Sequence, residues 1–271
     1  MRTALCTLDN TIYGVDGFEQ VLAFVDKRRS LVCTQCGGPA FYRRHGRDGR
    51  EACFGGRPHV EGCDLAALEH DGGIAGESDV EDEVFTTGQR IVVDFNFGAT
   101  ATGLEAQPAR GPADNGNQRE HNLGGITPRN IANRRMSSIL RALISSEQFR
   151  TSPRVITIVG QDDFISTDFF VNFADVTETH IGRYHGFWGM IPDARESGNT
   201  LWFNSGGPDN VSVLLDERFL NDTAQRFQVE GADDIAGAYL LVFGELKRSR
   251  RTDKKHVVIT DPSRFTLKLA R

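Results

Sequence analysis

The chain has no apolar run approaching the length of a membrane span, which takes about 20 consecutive residues. Its opening, MRTALCTLDN, lacks the basic-then-apolar layout of a signal peptide. No internal repeat is present, so the chain is not built as an array of small units. It lacks an excess of positive charge: the formal net charge is −6, which excludes a polybasic protein that coats nucleic acid by bulk charge. It also lacks the motifs GxxxxGK[ST], GxSxG, HExxH and a strand-borne D…ExK, and with them the most direct signatures of a catalyst. Cysteine is scarce, at 5 residues, and 4 of those fall between Leu31 and Asp64. Thiols gathered in one place, with no export signal, lead us to expect a reducing, cytoplasmic setting.

At 271 residues, with 39% hydrophobic and 25% charged residues, the composition is that of a soluble globular protein of one large or two to three small domains. Its most specific chemical signal is LVCTQCGGPAFYRRHGRDGREACFGGRPHVEGCD, residues 31–64. Cys33 and Cys36 form a CxxC knuckle that presents two sulfurs to one metal. Gly37 and Gly38 let the backbone turn its N–H groups toward sulfur. His59 and Cys63 complete a sulfur/nitrogen set suited to tetrahedral, structural Zn²⁺. Cys53 is the alternative ligand, replacing His59 in an all-cysteine site. A zinc-ribbon-like module over residues 1–73 is the expected unit, too small in core to fold without its metal. Arg43, Arg44 and Arg47 lie at the tip of its central hairpin, beside Phe41 and Tyr42. They are candidates for phosphate contact and base stacking.

The same stretch resembles the N-terminal zinc-binding module of the competence CoiA family. The matching pieces are Ala4 to Tyr13, then Cys33-Thr34-Gln35-Cys36-Gly37-Gly38, then Phe54, His59 and Cys63. The resemblance covers about residues 1–70. Where that family has an HF-x-H strand, this chain reads Cys53-Phe54-Gly55-Gly56. The family continues into a nuclease domain that has no counterpart in this sequence. The resemblance therefore implies a DNA-handling context and transfers no activity.

The acidic, glycine-rich run 71–83 is an expected linker. A mixed α/β region over 84–180 follows. It is predicted to hold a strand over 89–97, a long flexible loop over 98–125 and a helix from Thr127 to about Ser146. Thr127 would cap that helix and Pro128 would open it. A second strand is expected over 154–159. Asp94, Asp162, Asp163, Asp168, Asp175 and Glu178, with His180 and His185, are carboxylates and imidazoles of the kind metal-dependent nucleases use. They support an alternative reading of the chain as a nuclease.

From about residue 181 to 271 the pattern is short strands in the order β-β-β-α-β-β. That order resembles OB-fold nucleic-acid-binding domains, so an OB-like β-barrel is expected. Leu201 and Phe203 alternate with Trp202, which places Trp202 on the opposite face from the core. Tyr239 and Phe243 share a face. Lys247, Arg248, Arg250, Arg251, Lys254, Lys255 and His256 gather around one hairpin. The sequence thus predicts an α+β, multi-domain protein that binds single-stranded DNA with little sequence specificity, with structural Zn²⁺ as its cofactor. Replication, recombination, DNA uptake or defence are the settings this fits, with other protein subunits as further candidate partners. A protein-binding subunit of a larger nucleoprotein assembly is the other alternative.

Overall fold

A computed structural model of the chain describes residues 1–46, 49–66, 90–93, 95, 131–158, 160–207 and 210–270. The expected linker over 71–83, the expected loop over 98–125, Asp94 and Arg47 lie outside the described residues. No helix among the described residues is long and apolar enough to cross a membrane.

The N-terminal module is a five-stranded antiparallel sheet. Its strands are β1 (Thr3–Cys6), β2 (Thr11–Gly14), β3 (Leu31–Val32), β4 (Pro39–Arg43) and β5 (Cys53–Gly56), in the order β2-β1-β3-β4-β5. Between β2 and β3 the chain does not form one continuous helix. It forms a 3-10 turn at Phe18–Gln20 and a short helix α1 (Phe24–Lys27), divided because Ala23 takes a left-handed conformation, φ 57°. Phe18 fills the small core, with Tyr42 and Phe54 each at 5.1 Å between ring centroids.

The middle region contains β6 (Arg90–Val93), β7 (Ile131–Arg134), α2 (Met136–Ser145), α3 (Glu147–Thr151), β8 (Val155–Ile158), β9 (Phe164–Ile165), α4 (Ser166–Phe169) and β10 (Phe170–Asn172). The sheet order is β7-β6-β8-β9, with β6 parallel to both β7 and β8. The expected helix start at Thr127 and Pro128 lies outside the described residues, and α2 begins at Met136. Residues 131–134 pair with β6 instead, and Arg135 is extended between strand and helix, φ −73° and ψ 151°. Strand pairing wins there because ladder partners replace the helical hydrogen bonds. α2 then buries Met136, Ile139, Leu140 and Leu143, one stripe at helical spacing.

The C-terminal half contains β11 (Tyr184–Ile191), β12 (Asp193–Ser197), β13 (Thr200–Asn204), β14 (Ser212–Asp216), α5 (Leu220–Phe227), β15 (Ala238–Glu245), β16 (Lys247–Arg248), β17 (Lys255–Ile259) and β18 (Phe265–Lys268). These strands, with β10, make two sheets, β10-β11-β15-β18 and β12-β13-β14-β17-β16, rather than one closed barrel. The divisions fall at single residues. Pro192, between β11 and β12, has no N–H to give to a ladder. Leu246, between β15 and β16, sends its N–H to the Arg183 carbonyl at 3.2 Å. The one parallel pair of the five-stranded sheet joins β14 to β17. Phe187, Phe203, Val213, Leu240, Val257 and Phe265 form the core between the two sheets. Alternation along β15 sends Tyr239, Leu241 and Phe243 the other way, with Trp188, into a second core beneath α2.

The N-terminal module docks on the C-terminal half through one aromatic ring and a set of arginines. Phe41 packs against Ala236 and Ala270, and its ring lies over Gly55 and Gly237 so closely that a Cβ on either glycine would collide with it. Gly237 also has φ +84°, so glycine is required there twice over. Asp193 is 1% exposed and takes Arg28 Nε at 3.2 Å, Arg29 Nε at 2.7 Å and Asn204 Nδ2 at 3.0 Å. Arg28 and Arg44 both reach Asp233, at 3.2 and 3.1 Å, and Arg57 donates to the Gly237 carbonyl at 3.3 Å.

Removing one partner of a buried ion pair leaves the other charge uncompensated. Asp193→Ala should therefore lower the unfolding free energy in urea by about 3–5 kcal/mol. Asp253→Ala, which removes an exposed partner of Arg248, should cost less than about 1 kcal/mol.

Candidate metal centre and nucleic-acid interface

The metal site is built from two loops held by the N-terminal sheet. Cys33 follows directly after β3, and Cys36 lies one tight turn later. The Gly37 N–H donates to the Cys33 carbonyl at 3.0 Å and the Cys33 N–H to the Gly38 carbonyl at 2.8 Å, closing the knuckle. Gly37 takes φ +69°, the conformation that turns the chain back beneath the sulfurs. His59 and Cys63 come from the loop after β5. Gly56 makes room for the imidazole: a Cβ there would lie 2.5 Å from His59 Nε2.

One ligand atom from each of Cys33, Cys36, His59 and Cys63 lies within 4.8 Å of all the others. Zinc–sulfur bonds of about 2.3 Å in a tetrahedron separate the sulfurs by roughly 3.8 Å. Cys33 Sγ and Cys63 Sγ are 3.9 Å apart, and Cys36 Sγ and His59 Nδ1 are 3.4 Å apart. Backbone N–H groups of Val60 and Gly38, followed by His59, pull the Cys36 thiol down to about 6, so it is ready as a thiolate. Burial pushes the Cys63 thiol up, and the neighbouring Cys36 and Cys33 add to this. A divalent cation is what lets several thiolates share so small a space. The donor set and its spacing fit zinc, and four protein donors leave no open position for a reacting water. Cys53 is outside this group: it lies on β5, opposite Arg43. Cys6 is a buried thiol of β1.

The hairpin-tip arginines have a different setting from the one expected of free surface groups. Arg43 donates to the Ala270 carbonyl and stacks on Phe41, with 5.7 Å from guanidinium to ring centroid. Burial lowers its pKa from the usual arginine value. Arg44 pairs with Glu19 and Asp233. Arg47 lies outside the described residues.

Trp202 stands on the outer face of the five-stranded sheet, while Leu201 and Phe203 enter the core. Across that face it is in register with Arg195 on one side and with Leu214 and then Val258 on the other. The next row reads Asp193, Asn204, Ser212, His256 and Lys247. The outer face thus runs from the docked module at Asp193 to the basic hairpin at His256 and Lys247. In that hairpin Arg248 is held by Glu178 and Asp253, and Lys247 lies 4.0 Å from Glu245. Arg250, Arg251 and Lys254 are exposed, and with Lys255 they have no acidic partner among the described residues.

The middle-region carboxylates are dispersed. Asp163 accepts from Thr157 Oγ1 at 2.7 Å and pairs with Arg90 at 2.6 Å, which lowers its pKa. Glu178 is taken by Arg248, and His180 closes a capping turn with Thr177. Among the described residues no three of Asp162, Asp163, Asp168, Asp175, Glu178, His180 and His185 form a group able to hold a metal; the Cys33–Cys63 cluster alone does. The pairing of Arg28 and Arg29 with Asp193 gave no signal in the sequence, because Asp193 is 164 positions from Arg29. Asp162, Asp168 and His185, grouped in the sequence as candidate metal-holding residues, instead line a cavity with Phe164 and Tyr184.

No family model matches the chain, and no curated protein matches it in sequence. Among solved structures, the S. pombe Stn1–Ten1 complex matches at 11% identity and TM-score 0.24, over 31% of this chain and 57% of that one. OBody AM1L10 bound to hen egg-white lysozyme matches at 15% identity and TM-score 0.27, over 36% and 92%. A putative aspartyl-tRNA synthetase from Leishmania major Friedlin matches at 7% identity and TM-score 0.28, over 38% and 21%. These TM-scores are too low to carry an inference.

The purified chain should hold one zinc ion. Cys33→Ser, Cys63→Ser and His59→Ala should each release it to a weaker chelator than the parent requires, and Cys53→Ser should leave zinc content unchanged in elemental analysis. Zinc lost on Cys53→Ser would move the fourth ligand to that residue.

Proposed function

We propose that this chain is a nucleic-acid-binding protein whose favoured ligand is single-stranded DNA. The observation that carries this reading is the hairpin between β16 and β17. On a chain of net charge −6, Arg250, Arg251 and Lys254 are concentrated there, exposed and without acidic partners among the described residues. Cations left unpaired beside a sheet are available to phosphates, and their binding releases counterions. The hairpin continues directly into the outer face that carries Trp202, whose ring offers a base a stacking platform independent of its identity.

The strand plan supports the same reading. β11–β12 and β15–β16 act as two bent strands, and β14 pairs in parallel with β17, giving an OB-like arrangement of five strands and one helix. The zinc module steadies the far end of the face through Arg28 and Arg29. Its likeness to the CoiA module fits a DNA-handling role, in replication, recombination, uptake or defence. Recognition is through phosphates and stacking, so sequence discrimination is low.

Binding to a fluorescent oligonucleotide across a salt series tests this. Affinity for the single strand should exceed that for duplex and fall steeply with salt. Reversing both charges, Arg250→Glu with Arg251→Glu, should weaken binding at least tenfold and reduce the salt slope by about 2. Trp202→Ala should cost about 1–3 kcal/mol of binding. Absence of binding at low salt overturns the reading.

A further inference from the structure

A cavity of about 360 Å³ lies where β9 and α4 meet the start of β11. Its volume is within the range of sites for small molecules, about 300–1,000 Å³. One wall is aromatic. The Phe164 and Tyr184 rings are stacked at 30° with centroids 6.3 Å apart, and Phe169 backs them at 4.5 and 6.2 Å. The rest of the lining is Gln161, Asp162, Ile165, Asp168, Arg183 and His185. Asp162 and Asp168 are exposed carboxylates without an ion-pair partner among the described residues, and the same holds for the guanidinium of Arg183. Both ring nitrogens of His185 are shielded from solvent, with the Phe169 and Asp168 backbone beside the ring.

Position narrows the ligand class. The Leu246 N–H donates to the Arg183 carbonyl at 3.2 Å, and the Gly182 N–H donates to the Leu246 carbonyl at 2.8 Å. The rim of the cavity is thereby bonded to the residue that precedes Lys247 and Arg248. The cavity and the basic hairpin are thus joined through one residue, Leu246. Stacking needs a flat ring against the aromatic wall. Free carboxylates accept hydrogen bonds from an exocyclic amine, as they do from cytosine, and repel the carbonyl edge of thymine or uracil. The guanidinium of Arg183 suits the accompanying phosphate.

We infer that this cavity receives one unstacked nucleotide with an amino-bearing base, stacked on Phe164 and Tyr184, with Asp162 and Asp168 toward its amine and Arg183 toward its phosphate. This deepens the single-strand reading and rests on it for the physiological ligand, but the pocket can be tested without a strand. Ligand-observed NMR and calorimetry on the zinc-loaded full chain should detect AMP and CMP at least tenfold more tightly bound than UMP and TMP. Asp168→Asn, at an exposed position with no ion-pair partner among the described residues, should erase most of that preference. Arg183→Gln should weaken AMP but leave adenosine unchanged. The Arg250→Glu/Arg251→Glu variant should retain mononucleotide binding while losing the strand. Equal binding of AMP and UMP, or a preference that survives Asp168→Asn, overturns the inference. Preference for benzylamine over every nucleotide also overturns it, and makes the cavity a site for organic cations. If a single strand binds but no mononucleotide does, the pocket is refuted and the hairpin reading stands. If mononucleotides bind with the stated preference and no strand does, the pocket stands and the strand reading falls.

Discussion

The constraint on which the arrangement depends is the burial of Asp193. Taking a carboxylate out of water costs several kcal/mol unless its charge is met. Here it is met by two guanidinium groups from the N-terminal module and by the Asn204 amide from the next strand. A buried ion pair adds little net stability compared with an apolar contact. It does make every other way of seating the module expensive, because each would strand three charges. Phe41 in its glycine-lined slot supplies the apolar half of the same docking. Together they set which end of the five-stranded sheet is covered and which end remains accessible.

That division gives the charged residues two roles. Arg28, Arg29, Arg43, Arg44 and Arg57 bind backbone carbonyls and acids of the chain itself. At the opposite end, in the hairpin between β16 and β17, Arg250, Arg251 and Lys254 stand apart from acids of the described chain. Counting arginines along the sequence treats these groups as equivalent. Their environments make them different: a guanidinium already paired in a dry interface has little left to offer a phosphate, while an exposed one exchanges counterions at small cost.

Both β-sheets of the C-terminal half are used on two faces. The inner faces share one core, and the outer face of the β11–β15 sheet is sealed by α2 and its neighbours over Trp188, Tyr239, Leu241 and Phe243. Aromatics on that side are structural. Trp202, on the other sheet, is not covered in this way, and the cavity beside His185 lies where the cover ends. The two candidate surfaces thus lie apart, Trp202 on the outer face of the five-stranded sheet and the cavity where the middle region meets β11.

Local chemistry was legible in the residues themselves. The CxxC knuckle, the HxxxC pair and the intervening glycines specify a four-donor cluster because ligand spacing and turn geometry are short-range properties. Most C-terminal strands, and the inward turn of Leu201 and Phe203 against Trp202, follow from period-2 alternation. Strand β12 did not, because Asp193-Ala194-Arg195-Glu196-Ser197 is polar at nearly every position. Nor did the late start of α2, since residues 131–134 look helical until a parallel partner at β6 is supplied. The pairing of Asp193 with Arg28 and Arg29, the burial of Tyr239 and Phe243, and the cavity beside His185 were decided only by tertiary structure. Each joins segments far apart in the chain, and long-range contacts depend on which surfaces meet, a property no local pattern encodes.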